Sequence, residues 1–528
     1  MREALSLDGI PASRGYAEGP LHRLDADAGS YRPKGSADAE AAALAGAIAD
    51  AIGRISTLIE SSPGESAEIL EFQMAMLEDN ALSGPALAEI SAGATAWDAW
   101  SSVLDGEIAG YEASADDYFR ARAADLRDIR DQVLRALTGG TTGAVPAGAI
   151  LFGEDIPPTR FLETDWSHGG GIALTKGSSA SHVAMLARSR GVPMVVGLGG
   201  DVRSEAVLAL LDAEAGRIVL APATSDLALF RQAAADFRDR AEHAQGFLGK
   251  PAITADGTPV LTHVNIADPS DTDLIDIATC DGVGLMRTEF LFGHGLPDEE
   301  AQFRAYRKVL EWAGAKPVTI RTVDAGGDKP VPGFTVAEGN PFLGLRGIRL
   351  CLARPEVFRV QIRALLRAAV HGNLKVMFPM IAVASEYARA KAMFAEEASA
   401  LAVRSIPHRM PPLGIMVEVP SVAIAPQAFA DVAFFSIGSN DLTQYVMAAA
   451  RDNASVAVLN DTAHPAVLRL IGEVAAFGRA NGIPVSLCGD AGGDPHLIPH
   501  LLAAGLREVS AAPAQLAAAK AAIAGVRL

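Results

Sequence analysis

Two carboxylates and a group of arginines, each just past a short apolar run, are the residues of this 528-residue sequence best placed to do chemistry. Glu418 follows GIMV and Asp441 follows FFSIGSN, in stretches almost free of other charge. A carboxylate at the mouth of an apolar strand is costly unless it is paired or binds a metal. Two such oxygen donors, with water and a substrate phosphate completing the shell, suit Mg2+ or Mn2+. A pair of salt-bridged structural acids is the competing reading. Arg287, Arg321, Arg346 and Arg451 supply guanidinium forks that hold phosphate or carboxylate through two bonds at once. Together with a divalent metal they point to a small, multiply anionic substrate. Lys329, in the GGDK turn, adds one more cation on a flexible loop, although GGDK on its own fits any turn.

Two further residues stand out. Cys488 ends an apolar run. A lone cysteine is commonly a small buried hydrophobe, but here it is also a weak acid within reach of a substrate carbon. His182 closes a Gly/Ser-rich turn, KGSSAS, and opens the helical stretch VAMLARS. The unpaired N–H groups and positive dipole end of a helix start disfavour an imidazolium there and favour a phosphoryl group carried on the ring. Taken alone, a histidine at such a position is more often a helix-capping or core residue. The other histidines show no metal-ligand spacing, and neither a P-loop nor a GxSxG elbow is present.

These residues need a scaffold that brings distant positions together. Eight strand-like runs follow one another in the second half: PVLTHVNI, GVGLM, PVTIRTV, LKVMFPM, LGIMVEV, VAFFSIG, IPVSLCG and REVSA, with helical patterns between them. Eight β/α repeats in residues 250–528 predict a (β/α)8 barrel. Arg287, Arg321, Asp324, Glu418, Asn440, Asp441 and Cys488 all fall at or past the C-terminal ends of these runs, which converge on one face of a barrel. Residues 1–38 and 139–224, with short apolar runs between Gly-rich turns, predict a mixed β/α domain around His182. Residues 39–138 switch to helical spacing, as at Ile48, Ile52, Ile55 and Ile59, and predict a helical insertion. Residues 225–249 predict a helical connector.

The formal net charge of −18 argues against nucleic acid and fits a neutral or basic protein partner. No uninterrupted apolar run reaches the ~18 residues of a membrane span, and the first residues lack a signal-peptide core. Three well-separated cysteines in no CxxC pair predict neither a disulfide framework nor a zinc site, and suit a reducing cytoplasm.

The motifs LDGIPASRGYAEG, SHVAMLARS, GLMRTEFLF, RTVDAGGDK, NPFLGLRGIRL, MFPMI and FFSIGSNDLTQY occur in that order. With the Cys-Gly pair, they resemble Enzyme I of the bacterial phosphoenolpyruvate:sugar phosphotransferase system over nearly the whole chain. The resemblance implies that His182 accepts the phosphoryl group of phosphoenolpyruvate and passes it to the phosphocarrier HPr or a paralogue, releasing pyruvate. It implies Glu418 and Asp441 as magnesium ligands and Arg287, Arg321, Arg346 and Arg451 as substrate-binding arginines. Asn440 would contact the substrate carboxylate, Lys329 would lie in the substrate loop, and Cys488 would protonate the enolate. It further implies that the helical insertion docks HPr, that the His182 domain swivels, and that the barrel forms a homodimer. Three substitutions depart from the family pattern: Ala180 for Thr, Ala450 for Asp, and Asp490 for Glu. Loss of the Thr hydroxyl predicts slower transfer, and the chain's end soon after the eighth strand predicts a weaker dimer. A pyruvate, phosphate dikinase would need a nucleotide-binding domain, for which no Walker sequence is present. A non-catalytic regulatory relative is the other alternative.

Overall fold

The chain is described by a computed structural model covering residues 4–24, 31–61, 65–112, 117–139, 145–177, 181–199, 207–292, 295–327, 331–336, 338–450 and 456–528. It divides into two units, Met1–Phe237 and Arg238–Leu528.

In the first unit, β1 (Leu5–Asp8), β2 (Ile10–Ser13), β3 (Tyr16–Gly19) and β4 (Leu21–Arg23) precede five helices: α1 (Ala37–Ser61), α2 (Glu65–Glu78), α3 (Asn80–Ser91), α4 (Ala96–Glu112) and α5 (Asp117–Thr138). The chain then returns through β5 (Ile150–Gly153), α6 (Pro158–Glu163), β6 (Gly171–Leu174), α7 (His182–Arg190), β7 (Met194–Val196), β8 (Ala209–Asp212), β9 (Arg217–Leu220) and α8 (Thr224–Gln245). One sheet runs β2-β7-β6-β5-β4, with β4 to β7 parallel, and the other is antiparallel in the order β1-β9-β8-β3. Strands covered on both faces must be apolar throughout. Thus Ile150, Phe152, Ala173 and Val195 meet Leu211 and Ile218, while Leu151, Ile172 and Met194 pack with Val183, Ala184 and Ala187 of α7.

The helical insertion has its own core. On α1 the fully buried stripe is Leu44, Ala47, Ala51 and Ile55; Ile48, Ile52 and Ile59 sit half-buried at its edge. Small alanines on the stripe let neighbouring helices approach closely, a preference that isoleucine spacing alone did not reveal. By length and composition, residues 37–59 of α1 would also suffice to cross a membrane, but this stripe lies within the helical core. Asp128 of α5 is buried and accepts hydrogen bonds from Gln73, Gln132 and Thr159 of α6 (3.1, 3.1 and 2.6 Å), tying the insertion to the β/α layer.

In the second unit, the strands β10 (Leu261–Ile266), β11 (Val283–Met286), β12 (Pro317–Arg321), β13 (Asn373–Phe378), β14 (Leu413–Val417), β15 (Phe435–Ile437), β16 (Val485–Leu487) and β17 (Glu508–Ala511) form a closed, parallel barrel. All eight predicted runs are barrel strands. Leu285, Met377, Met416, Phe434 and Cys488 form an apolar cluster in the barrel. Ile320, Val376, Ile415 and Ile437 belong to the larger core shared with the surrounding helices.

Candidate active site

Parallel closure brings residues from β11 to β16 to one rim. Arg321, the last residue of β12, is buried. Its Nη2 donates to Glu289 Oε2 at 2.9 Å, and its Nη1 lies 3.3 Å from Asp324 Oδ2. Glu289 also accepts from the Asp324 backbone N–H at 2.9 Å, so the turn after β12 is held onto the turn after β11. The Nε of Arg321 is buried and has no hydrogen-bond partner among the described residues. An arginine donor left unmade in a buried site is expensive, and an anionic ligand oxygen would satisfy it.

Arg346 is wholly buried and uses every donor it has. Nε and Nη2 reach Asp324 at 3.1 and 3.0 Å, Nη1 and Nη2 reach Asp441 at 3.1 and 3.2 Å, and Nη1 also lies 3.4 Å from the Tyr445 hydroxyl. Its guanidinium stacks 5.8 Å from the Phe342 ring centre. Gly326 lies against this arginine at φ 100; a Cβ there would meet Leu345 O at 2.9 Å, and the left-handed backbone also favours glycine. Arg346 therefore ties two carboxylates together and has no donor left for a substrate in this arrangement.

Glu418 directly follows β14 and is also buried. Met380, with a left-handed backbone at φ 58, donates its N–H to Glu418 Oε1 at 2.6 Å. Burial, then the charges of Asp441 and Asp324, push the Glu418 carboxyl up to about 8, against the pull of Arg321 and Arg346. A carboxyl raised by burial and crowded by neighbouring acids is a site that a cation would relieve. Among the described residues no three His, Cys, Asp or Glu side chains gather as a metal cage. Mg2+ needs only one or two carboxylates when water and phosphate supply the rest, so Glu418 and Asp441 fit that ion.

Asn440 and Asp441 open the helix Ser439–Met447 after β15. Asn440 and Asp490 bond reciprocally: Asn440 Nδ2 donates to Asp490 Oδ2 at 3.0 Å, and the Asp490 N–H donates to Asn440 Oδ1 at 3.0 Å. The shorter side chain at position 490 thus makes a firm contact with Asn440. Cys488 follows β16, with its Sγ–H directed at Ile437 O (3.7 Å). Burial pushes its thiol up to about 11, against a hydrogen bond from Ser436 and the charges of Arg321 and Arg287. It is therefore a protonated thiol at neutral pH, an acid rather than a nucleophile. Gly489 is small because a Cβ there would fall 1.9 Å from Ser439 Oγ. Arg287 follows β11 and is exposed.

His182 is the first residue of α7. Ser181 caps the helix by accepting from the Ala184 N–H at 3.2 Å, and Gly191 closes it with a left-handed backbone. Lys329, Arg451 and Ala180 lie outside the described residues. The barrel rim thus gathers Arg321, Arg346, Glu418 and Asp441 in one charged network, with Cys488 beneath. Glu289 and Tyr445 were not singled out from sequence, and Asp324 was noted only for its place at a strand end. The acid two residues after Arg287, in MRTE, was the available signal for Glu289.

Family models for phosphoenolpyruvate-utilising enzymes match three stretches: the N-terminal model at residues 8–122, the mobile-domain model at 145–216 and the phosphoenolpyruvate-binding model at 241–528. The phosphoenolpyruvate-protein phosphotransferase of Geobacillus stearothermophilus is 37% identical over 98% of this chain and 92% of its own length. That of Priestia megaterium is 36% identical over 96% of this chain and 91% of its own.

Proposed function

This chain belongs to the phosphoenolpyruvate-protein phosphotransferases, enzymes of phosphoenolpyruvate-dependent phosphoryl transfer, and from that premise we propose that its barrel rim binds phosphoenolpyruvate and phosphorylates His182. The phosphoryl group then passes to a histidine-containing phosphocarrier, HPr or a paralogue, docked on the helical insertion. The observation that carries this reading is the buried network of Arg321, Asp324, Arg346, Glu418 and Asp441 with a protonated Cys488 below it.

Arg321 offers its Nε, which has no partner among the described residues, and exposed Arg287 its guanidinium, to the substrate's phosphate and carboxylate. Lys329 and Arg451 are assigned to the same task from the family motif, and Asn440, oriented by Asp490, to the substrate carboxylate. Glu418 and Asp441 would hold Mg2+, or Mn2+, which when bound neutralises charge on the phosphoryl group. The O–P bond of phosphoenolpyruvate breaks and an N–P bond forms on the His182 imidazole. Cys488 Sγ–H protonates C3 of the remaining enolate, giving pyruvate. The capped N-terminus of α7 suits the resulting phosphohistidine dianion. Arg346 organises the site by fixing Asp324 and Asp441. Donor and acceptor lie on different units, and the family resemblance implies that the His182 domain swivels to carry the imidazole to the rim.

The three cysteines are free and buried, which suits a cytoplasmic enzyme, and the family resemblance carries a homodimer through the barrel with it. Intact mass after mixing with phosphoenolpyruvate and Mg2+ tests the reading. One acid-labile phosphoryl group is expected, lost with EDTA and absent in His182→Ala. Labelling of His182→Ala at the wild-type level would overturn the choice of acceptor.

A further inference from the structure

The Cys488 thiol must regain a proton after each enolate it protonates, and its surroundings restrict where that proton comes from. Sγ sits in an apolar shell of Leu285, Met377, Met416 and Phe434. Among the described residues Sγ makes one hydrogen bond, to the Ile437 carbonyl; the Ser436 hydroxyl shares its face of the neighbouring strand, near enough to favour the thiolate. A carbonyl has no proton to give, whereas a hydroxyl does. Ser436 on β15 is paired in register with Ser486 on β16, and Ser486 Oγ donates to Ser436 Oγ at 3.3 Å. Ser486 in turn lines a cavity of about 10 Å³ at the opposite, N-terminal end of the barrel. That is about the least space one water requires.

The cavity wall is chemically unusual for a barrel base. It includes His263, Glu508, Lys375 and Thr319. His263 Nε2 meets Glu508 Oε1 at 2.8 Å, while its Nδ1 is buried without a hydrogen-bond partner among the described residues. The Glu508 side chain is 18% exposed, so the cluster reaches solvent. We propose that Ser436 and Ser486 relay protons between this basal cavity and the Cys488 thiol. The proposal rests on the reading of Cys488 as the acid that protonates the enolate.

In the relay, S–H breaks as C–H forms at C3 of the enolate. The thiolate takes the Ser436 hydroxyl proton, Ser436 takes that of Ser486, and Ser486 takes one from a water that enters the cavity. Solvent entering past Glu508 and Lys375 returns a proton to that water. One solvent proton enters for each enolate protonated. Recharging can then proceed while pyruvate still covers the rim.

The test needs no partner protein. The full chain with Mg2+, phosphoenolpyruvate and 13C-labelled pyruvate in D2O exchanges carbon label by reversing the transfer, and it gains methyl deuterium only when the thiol hydrogen is replaced from solvent. The ratio of deuterium entry to carbon exchange reads the relay, and a merely structural defect lowers both together. Ser486→Ala and, independently, Ser436→Ala are expected to lower that ratio by about tenfold, with Ser486→Thr restoring it. A wild-type ratio in both alanine variants would mean that the thiol recharges from the rim and would overturn the relay. Undiminished carbon exchange in Cys488→Ala would instead remove the reading of Cys488 on which the relay depends.

Discussion

Replacing Arg346 by methionine should expose how much the rim depends on one buried cation. Methionine keeps much of the volume and removes five donors. Asp441 then loses both of its bonds to the guanidinium, at 3.1 and 3.2 Å, while Asp324 keeps Arg321 at 3.3 Å. The loss is therefore closer to one broken buried pair than to two. Breaking such a pair by removing one partner costs roughly 3–5 kcal/mol, because a carboxylate is left buried without its counter-charge. For a unit the size of residues 238–528, about 2 °C per kcal/mol converts this to a fall of about 8 °C in the barrel's melting transition. Scanning calorimetry of the full chain in EDTA is the assay. Adding Asp441→Asn to Arg346→Met removes the stranded charge and should recover more than half of the loss. A single variant melting within about 2 °C of wild type would refute the reasoning, since the network would then be worth no more than a surface ion pair. So would a double variant whose losses simply add.

Glu508→Gln should destabilise the barrel at neutral pH but not in acid. Burial raises the Glu508 carboxyl, but the hydrogen bond and charge of His263 outweigh it and hold it below the ordinary glutamate range. Its stabilising effect is therefore present above that range and lost as pH falls through the depressed value, so the melting-temperature gap between wild type and variant should close on acidification; a constant gap would contradict the ion pair. Glu418→Gln should abolish the Mg2+-dependent step of His182 labelling, whereas an unchanged Mg2+ requirement would make this carboxyl structural. Ser181→Ala removes the cap on α7 and should cost about 1 kcal/mol, with faster amide exchange at Ala184 and recovery in Ser181→Asp. Unchanged exchange would show that the cap does not hold the start of the histidine helix.

The barrel was legible because its signal is local and repeated. Each apolar run from VLTHVNI to REVSA is long enough to mark a strand by itself, and unusual polar residues fell at one end of the series. The helical insertion was legible only as a class. Isoleucine spacing marked α1 correctly as a helix, but the buried stripe runs through Ala47 and Ala51, because helix packing rewards small residues at close approach as much as large ones. Glu289 escaped notice because an acid beside an exposed arginine resembles an ordinary surface pair until the turn after β11 is folded against Arg321.

The sequence by itself determined which residues carry charge at apolar strand ends, where strands and helices alternate, and which motifs the chain shares with phosphoenolpyruvate-dependent phosphotransferases. These follow from residue type and spacing along the chain. Only the tertiary structure decided who pairs with whom. Asp441 and Asp324 are 117 residues apart in sequence, yet both close on Arg346, leaving it no donor for substrate while Arg321 keeps one. Burial decided that Cys488 holds its proton, because a thiolate deep in an apolar barrel is costlier than a thiol. Strand register placed Ser436 beside Ser486. Pairing, burial and register depend on distances between parts of the chain that spacing along it does not specify.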